Sequence, residues 1–162
     1  MKKIIGVMGG STASSKELKM AYEIGKVVAN LGAVLLTGGM GGIMEASSQG
    51  ANEKKGTVLA ICPTAKKEDL NPFVDIGIVT GMAGGRNYMN IKTSDIVIAI
   101  GSNSAGTLSE IAFTIQANKP LVIVNASKNM KLYLSEFKNE NIYFISTIGA
   151  VEKKLISLMK KI

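Results

Sequence analysis

The sequence predicts an α/β fold, a Rossmann-like three-layer sandwich on a mostly parallel sheet of about six or seven strands. Two observations predict it. Apolar runs rich in β-branched residues alternate with segments of helical periodicity along the 162 residues, a pattern that implies a parallel sheet covered on both faces. Three of those runs end in glycine-rich loops, at Gly9-Gly10, residues 38–42 and residues 101–106. In open sheets of this kind, ligands bind outside the carboxyl ends of the strands, where the strand order reverses.

The elements follow in order. Residues 3–8 read as a first strand, and Ser14-Ser15-Lys16-Glu17 as a capping box opening a helix. Its apolar positions Leu18, Ala21, Ile24, Val28 and Leu31 recur at helical steps until Gly32. Residues 33–37 form a second strand, Gly38-Gly39-Met40-Gly41-Gly42 turns into a helix ending near Lys54, and residues 57–62 form a third strand closed by Pro63. Residues 64–74 are polar, contain Pro72 and read as a loop, followed by a short strand at 75–80 and a helix at 86–93. A strong buried strand at 95–100 leads to a helix at 107–118, a strand at 120–124, a short helix at 129–137 and a weak strand at 142–145. Ile148, Val151, Leu155, Leu158 and Ile162 form the apolar stripe of a last helix. No repeat, linker or low-complexity block divides the chain, so residues 1–162 read as one domain.

Composition narrows the function. No apolar run reaches the roughly 18 residues that a membrane span needs. The stretch after Met1-Lys2-Lys3 stops at Gly9-Gly10 without a cleavage pattern. Cys62 is the single cysteine, which rules out an internal disulfide, and a cytoplasmic location is expected. Without histidine there is no Ser-His-Asp or Cys-His nucleophile and the commonest zinc ligand is missing, so no metal site is expected. The net charge of +7 comes from scattered lysine pairs, a solvated surface more than a nucleic-acid footprint. With 5% aromatics and no tryptophan, a stacking platform for single strands is weak.

Of the 19 basic residues, Arg86 alone is arginine. It follows Gly84-Gly85 at a helix start, where a forked guanidinium suits bidentate binding of phosphate or carboxylate. Gly10 and Ser11 lie between a strand and a helix amino terminus, which attracts anions, although a tight turn explains them equally well. Gly38, Gly39, Gly41 and Gly42 carry more backbone entropy than a turn requires, which favours a ligand lying against the backbone. Ser102, Asn103, Ser104, Gly106 and Thr107 join a buried strand to a helix, so their amides and hydroxyls converge with a helix dipole behind them. Glu110 is a candidate catalytic carboxylate, but Thr107-x-x-Glu110 is also a capping box in which Glu110 bonds back to the Thr107 amide. Cys62 reads as a core thiol, and Met40, Met44, Met82 and Met89 as pocket-lining or packing residues. Neither GxGxxG nor a P-loop lysine motif is present.

Thr37-Gly38-Gly39 with Gly42-Ile43-Met44, then Met82 and Arg86, then Gly106-Thr107-Leu108-Ser109-Glu110 resemble the LOG-like, or lysine-decarboxylase-like, superfamily over nearly the whole chain. Its pattern is a GG-rich second loop with G-L-M, an M-x-x-R-K segment and P-G-G-x-G-T-x-x-E. Gly101-Ser102-Asn103-Ser104 replaces P-G-G and is one residue longer, the step from Met82 to Arg86 is one longer, and Asn87 replaces lysine. With G-x-R-N and G-T-L-S-E, the chain looks closer to a branch related to the molybdenum-cofactor carrier protein.

The resemblance implies a homo-oligomer, binding of a phosphorylated nucleotide or pterin, and no required cofactor. It leaves two readings open. In one, a phosphoribohydrolase cleaves the N-glycosidic bond of a nucleoside 5′-monophosphate, the 101–107 loop holding phosphate, Glu110 contacting ribose or water, and Arg86 anchoring the substrate. In the other, a non-catalytic carrier or sensor holds molybdenum cofactor or another nucleotide, and Glu110 is only a cap. A distant third is single-stranded DNA binding, as in the DNA-processing protein A family, which shares this fold; only net charge speaks for it.

Overall fold

A computed structural model of the protein describes residues 1–101 and 104–162. Along the chain run β1 (Ile4–Gly9), α1 (Ser15–Asn30), β2 (Val34–Thr37), α2 (Ile43–Glu53), β3 (Thr57–Cys62), β4 (Ile76–Val79) and α3 (Arg86–Thr93). Then come β5 (Ile96–Ile100), α4 (Ala105–Gln116), β6 (Leu121–Val124), α5 (Lys128–Ser135), β7 (Ile142–Ile145) and α6 (Ile148–Met159). The seven strands form one sheet in the order β4-β3-β2-β1-β5-β6-β7. Every neighbouring pair is parallel, so the sheet is wholly rather than mostly parallel.

Strand alternation sorts the core into two layers. Ile96, Ile98 and Ile100 of β5 face a cluster containing Ile24 and Val28 of α1, Ala51 of α2 and Val151 and Leu155 of α6. Val97 and Ala99 face the other way, onto Ile91 of α3, Ile111 of α4 and Leu134 of α5. Both faces of β5 are thus buried, which is why its sequence is continuously apolar. The edge strand β4 differs: Ile76 and Ile78 are exposed.

Aspartates standing just before β4 and β5 align the sheet. Asp95 accepts the Ile4 amide at 2.8 Å and Asp75 accepts that of Val58 at 2.8 Å. Helices α1 and α2 touch backbone to backbone: a Cβ added at Gly25 would lie 2.9 Å from the Ala51 nitrogen, and one at Gly50 would lie 2.8 Å from the Tyr22 carbonyl carbon.

The capping box at Ser14 and Glu17 is present with both of its bonds. Beyond shifts of one or two residues at element ends, three features differ from the sequence reading. The 64–74 segment contains a 3-10 turn at Lys67–Asp69. Helix α6 ends at Met159, which leaves Ile162 exposed outside its apolar stripe. Helix α4 begins at Ala105, because the Ser104 hydroxyl takes the Thr107 amide one turn before the expected cap.

The chain leaves β1 for one side of the sheet and returns through β5 for the other. The order therefore reverses between these two strands, whose ends pair Gly9 with Ile100. The loops after β1 and β5 emerge side by side, and the site lies between them.

Candidate functional site

A cavity of about 280 Å³ opens at this reversal, lined by residues of the β1, β2, β3 and β5 loops and of α3 and α4. Its wall carries Gly10, Ser11, Gly38, Met40, Met44, Arg86, Ser104, Gly106, Thr107 and Glu110, which the sequence had singled out. A smaller cavity of about 210 Å³ adjoins it and shares Gly10, Ser11, Ser104 and Thr107. Ser102 and Asn103 lie outside the described residues.

Arg86 and Glu110 are the charged groups of the larger wall among the described residues. They are 7% and 5% exposed, so Arg86 is not a surface arginine. Its Nη1 donates to Glu110 Oε1 at 3.4 Å, and Asn90 Nδ2 donates to the same oxygen at 3.3 Å. Glu110 is therefore not the helix cap; Ser104 performs that role, and Glu110, one turn further on, turns inward. The Ser104 hydroxyl also bonds the Thr107 hydroxyl at 2.8 Å.

Helix α3 buries Arg86, Asn87 and Asn90, with Asn90 about one helical turn beyond the other two. Asn87 Nδ2 donates to Ser109 Oγ at 2.9 Å and ties α3 to α4. At the far end, Lys119 Nζ donates to the carbonyls of Ile91, Lys92 and Ser94, closing the carboxyl terminus of α3.

The glycines of the second loop divide in role. A Cβ at Gly38 would lie 2.7 Å from the Arg86 Cζ and 2.7 Å from the Met44 sulfur, so this glycine makes the bed on which the guanidinium rests. Gly39, at φ +75°, leaves room for Leu70 and Ala60, and Gly42, at φ +66°, lies against the Gly10 and Ser11 carbonyls. Gly39, Gly41 and Gly42 do not line the larger cavity. For Gly39 and Gly42 the close approach is to protein and not to an open ligand space.

Cys62 is buried under the site, its thiol 3.8 Å from the Met40 sulfur and 3.2 Å from Thr64 Oγ1. Met82 and Met89 are exposed and absent from the wall. Sequence reasoning missed Met8, Pro63 and Asn90 as site residues. Asn90 carried a signal, since it stands four residues after Arg86 and therefore on the same helix face.

Burial pushes the Glu110 carboxyl up to about 7, opposed by Arg86 and by the Asn90 bond. The same burial pulls Arg86 below its ordinary value, opposed by Glu110, and the guanidinium stays charged. A raised carboxyl binds its proton more tightly folded than unfolded. Glu110 therefore stabilises the native state least where it is ionised: stability falls as pH rises from about 4.5 to about 7, by up to about 3 kcal/mol. Glu110→Gln is expected to lack this slope. Urea melts at two pH values bracketing the window check it, and parallel pH profiles for the two proteins would refute the assignment.

The profile of the SLOG cluster4 family matches residues 2–152. The chain belongs to the SLOG cluster4 family. Relatives agree with the LOG-like resemblance and with its molybdenum-cofactor branch. An uncharacterized protein of Archaeoglobus fulgidus is 43% identical over 115 residues, covering 71% of this chain and 75% of that one. The structure of the molybdenum cofactor binding protein from Rippkaea orientalis superposes with a TM-score of 0.94 at 37% identity, covering 98% of each chain. That of the molybdenum cofactor carrier protein from Chlamydomonas reinhardtii gives 0.91 at 31%, covering 99% of each. These two structures thus match the chain nearly from end to end.

No helix among the described residues is long and apolar enough to cross a membrane, and no cluster of three metal-ligating side chains occurs among them. A separate apolar groove of about 690 Å³ runs between α4 and α5.

Proposed function

We propose that this protein is a cytosolic carrier of molybdenum cofactor, holding the phosphorylated pterin as cargo between the β1 and β5 loops. The observation that carries the reading is the end-to-end likeness to the Rippkaea orientalis cofactor-binding protein at 37% identity. The site's own chemistry supports it. Phosphate suits the small residues Gly10 and Ser11 and the amino terminus of α4, where the Ser104 and Thr107 hydroxyls stand beside the first helical turn. A fused ring suits the thioethers of Met8, Met40 and Met44 and the ring of Pro63, which form an apolar wall.

Fit can be judged from what the protein leaves unsatisfied. Arg86 Nε and Asn90 Oδ1 are buried without a partner, a state that native proteins rarely tolerate. Of the two, Arg86 borders the cavity, where its guanidinium and the Glu110 carboxylate meet polar cargo. No residue here needs to act as an acid or base for carriage: Glu110 holds Arg86, Asn90 holds Glu110, and the loops take the anion.

The phosphoribohydrolase reading makes a different demand, that Glu110 meet developing positive charge at an anomeric carbon. Two assays separate the readings. The protein is incubated with cofactor released from a donor enzyme, and the retained pterin is measured after gel filtration. It is also incubated with a panel of nucleoside monophosphates, and free base is followed by chromatography. Retained pterin without base release is the expected result. Base release that Glu110→Gln abolishes would replace the carrier reading with the hydrolase.

A further inference from the structure

The Glu110 carboxylate is poorly satisfied by the protein. Both of its bonds fall on Oε1, from Arg86 at 3.4 Å and Asn90 at 3.3 Å, whereas a charge-assisted bond settles at about 2.7–2.9 Å. Among the described residues, no protein donor reaches Oε2. A carboxylate has about four acceptor sites, so Glu110 lines the cavity with most of its accepting capacity unused. Beside it stands the Arg86 guanidinium, a donor that also borders the cavity and is held in place by Gly38.

The cavity wall therefore offers a strong acceptor next to a strong donor, between apolar thioethers. The complementary ligand edge carries two adjacent N–H donors followed by a carbonyl. That edge belongs to the 2-amino-4-oxo-pyrimidine ring common to pterins and guanine. An adenine ring presents a lone pair where the carboxylate needs a donor, and a 2-oxo ring sets a carbonyl against it. A phosphate beside Glu110 is repelled by like charge, which directs the phosphate end of a ligand towards Ser11, Ser104 and Thr107.

We propose that Glu110 and Arg86 form a reader for the 2-amino-4-oxo-pyrimidine edge, with Asn90 as a positioning residue that fixes the carboxylate. This deepens the carrier reading and rests on it for the location of the ligand. The reader works with Glu110 ionised, so pterin affinity rises with pH through about 7. The groups facing this carboxylate are Arg86 and Asn90 from α3, with Cys62 of β3 near the arginine.

The test uses two pairs of probes, each exchanging a 2-amino for an oxo group with the adjoining ring nitrogen gaining a hydrogen: pterin against lumazine, by fluorescence titration, and GMP against XMP, by calorimetry. At about pH 8, wild-type protein is expected to prefer the amino member of a pair by about tenfold or more, since a site built to bond an N–H rejects the analogue lacking it. Glu110→Gln is expected to reduce the preference to under about threefold, and Asn90→Ala to weaken it partially while the melting temperature of each variant confirms folding. The pair that shows the preference identifies the ring source. Equal binding within both pairs, binding of neither, or a preference unchanged in Glu110→Gln overturns the reader. Retained cofactor with equal binding within both pairs sinks the reader alone. GMP preferred over XMP with no cofactor retained sinks the carrier reading and leaves the reader standing.

Discussion

Alanine at Gly50 is expected to destabilise the protein by about 3 kcal/mol, the upper end of what overpacking a tight contact costs. The added carbon would lie 2.8 Å from the carbonyl carbon of Tyr22 and closer still to its oxygen. Neither atom can rotate away, because both belong to the backbone of α1. Helix α1 must then lift off α2, and with it Ala21, Ile24 and Val28, which are fully buried against the sheet. Gly84→Ala is the natural control, since nothing lies within 4 Å of a Cβ there. Chemical denaturation of the three proteins measures the difference. A Gly50→Ala variant as stable as the control would mean that the two helices do not meet as described.

Gly38→Ala is expected to lower affinity for the bound ligand at least about tenfold while leaving the fold intact. The backbone at Gly38 does not need a glycine, unlike the positive-φ positions Gly39 and Gly42. What needs it is Arg86, whose Cζ would lie 2.7 Å from the new carbon. The guanidinium must swing out, which breaks its contact with Glu110 and leaves a buried carboxylate without its cation. Misplacing a bidentate donor by about 1 Å is enough for a hundredfold effect in a preorganised site. Titration of the variant with pterin, beside a thermal melt, checks both halves of the expectation. Unaltered affinity would remove Arg86 from the binding machinery.

The sequence carried the fold because each local signal agreed with the others. The strand at β5 reads as buried on both faces, and it is; the Ser14–Glu17 box opens α1 as its spacing requires. Where reading failed, two patterns competed. Thr107-x-x-Glu110 satisfies the capping rule in the abstract, but Ser104 stands one turn earlier and its hydroxyl reaches the Thr107 amide first. Periodicity does not rank two adequate caps. The glycine loop failed differently: composition says that a side chain is unwelcome at residues 38–42, not what occupies the space. Leu70 fills it at Gly39, the Gly10–Ser11 backbone at Gly42, and the Arg86 side chain of α3 at Gly38, which still borders the cavity. Met8 escaped notice because a methionine at a strand end reads as core, although its side chain also borders the cavity. Arg86 was legible from its isolation among lysines; Asn90 was missed, although its helical step to Arg86 sets it on the same face.

If the cavity between the β1 and β5 loops carries molybdenum cofactor, as proposed, the purified protein holds it. The most direct measurement is the molar content of pterin and molybdenum in wild-type protein purified from a host that makes the cofactor, with Gly38→Ala prepared beside it. Pterin approaching one per binding site in the wild type, with molybdenum in step and both lost in the folded variant, is the predicted result. Wild-type protein free of pterin, or equal loading of both proteins, would contradict it.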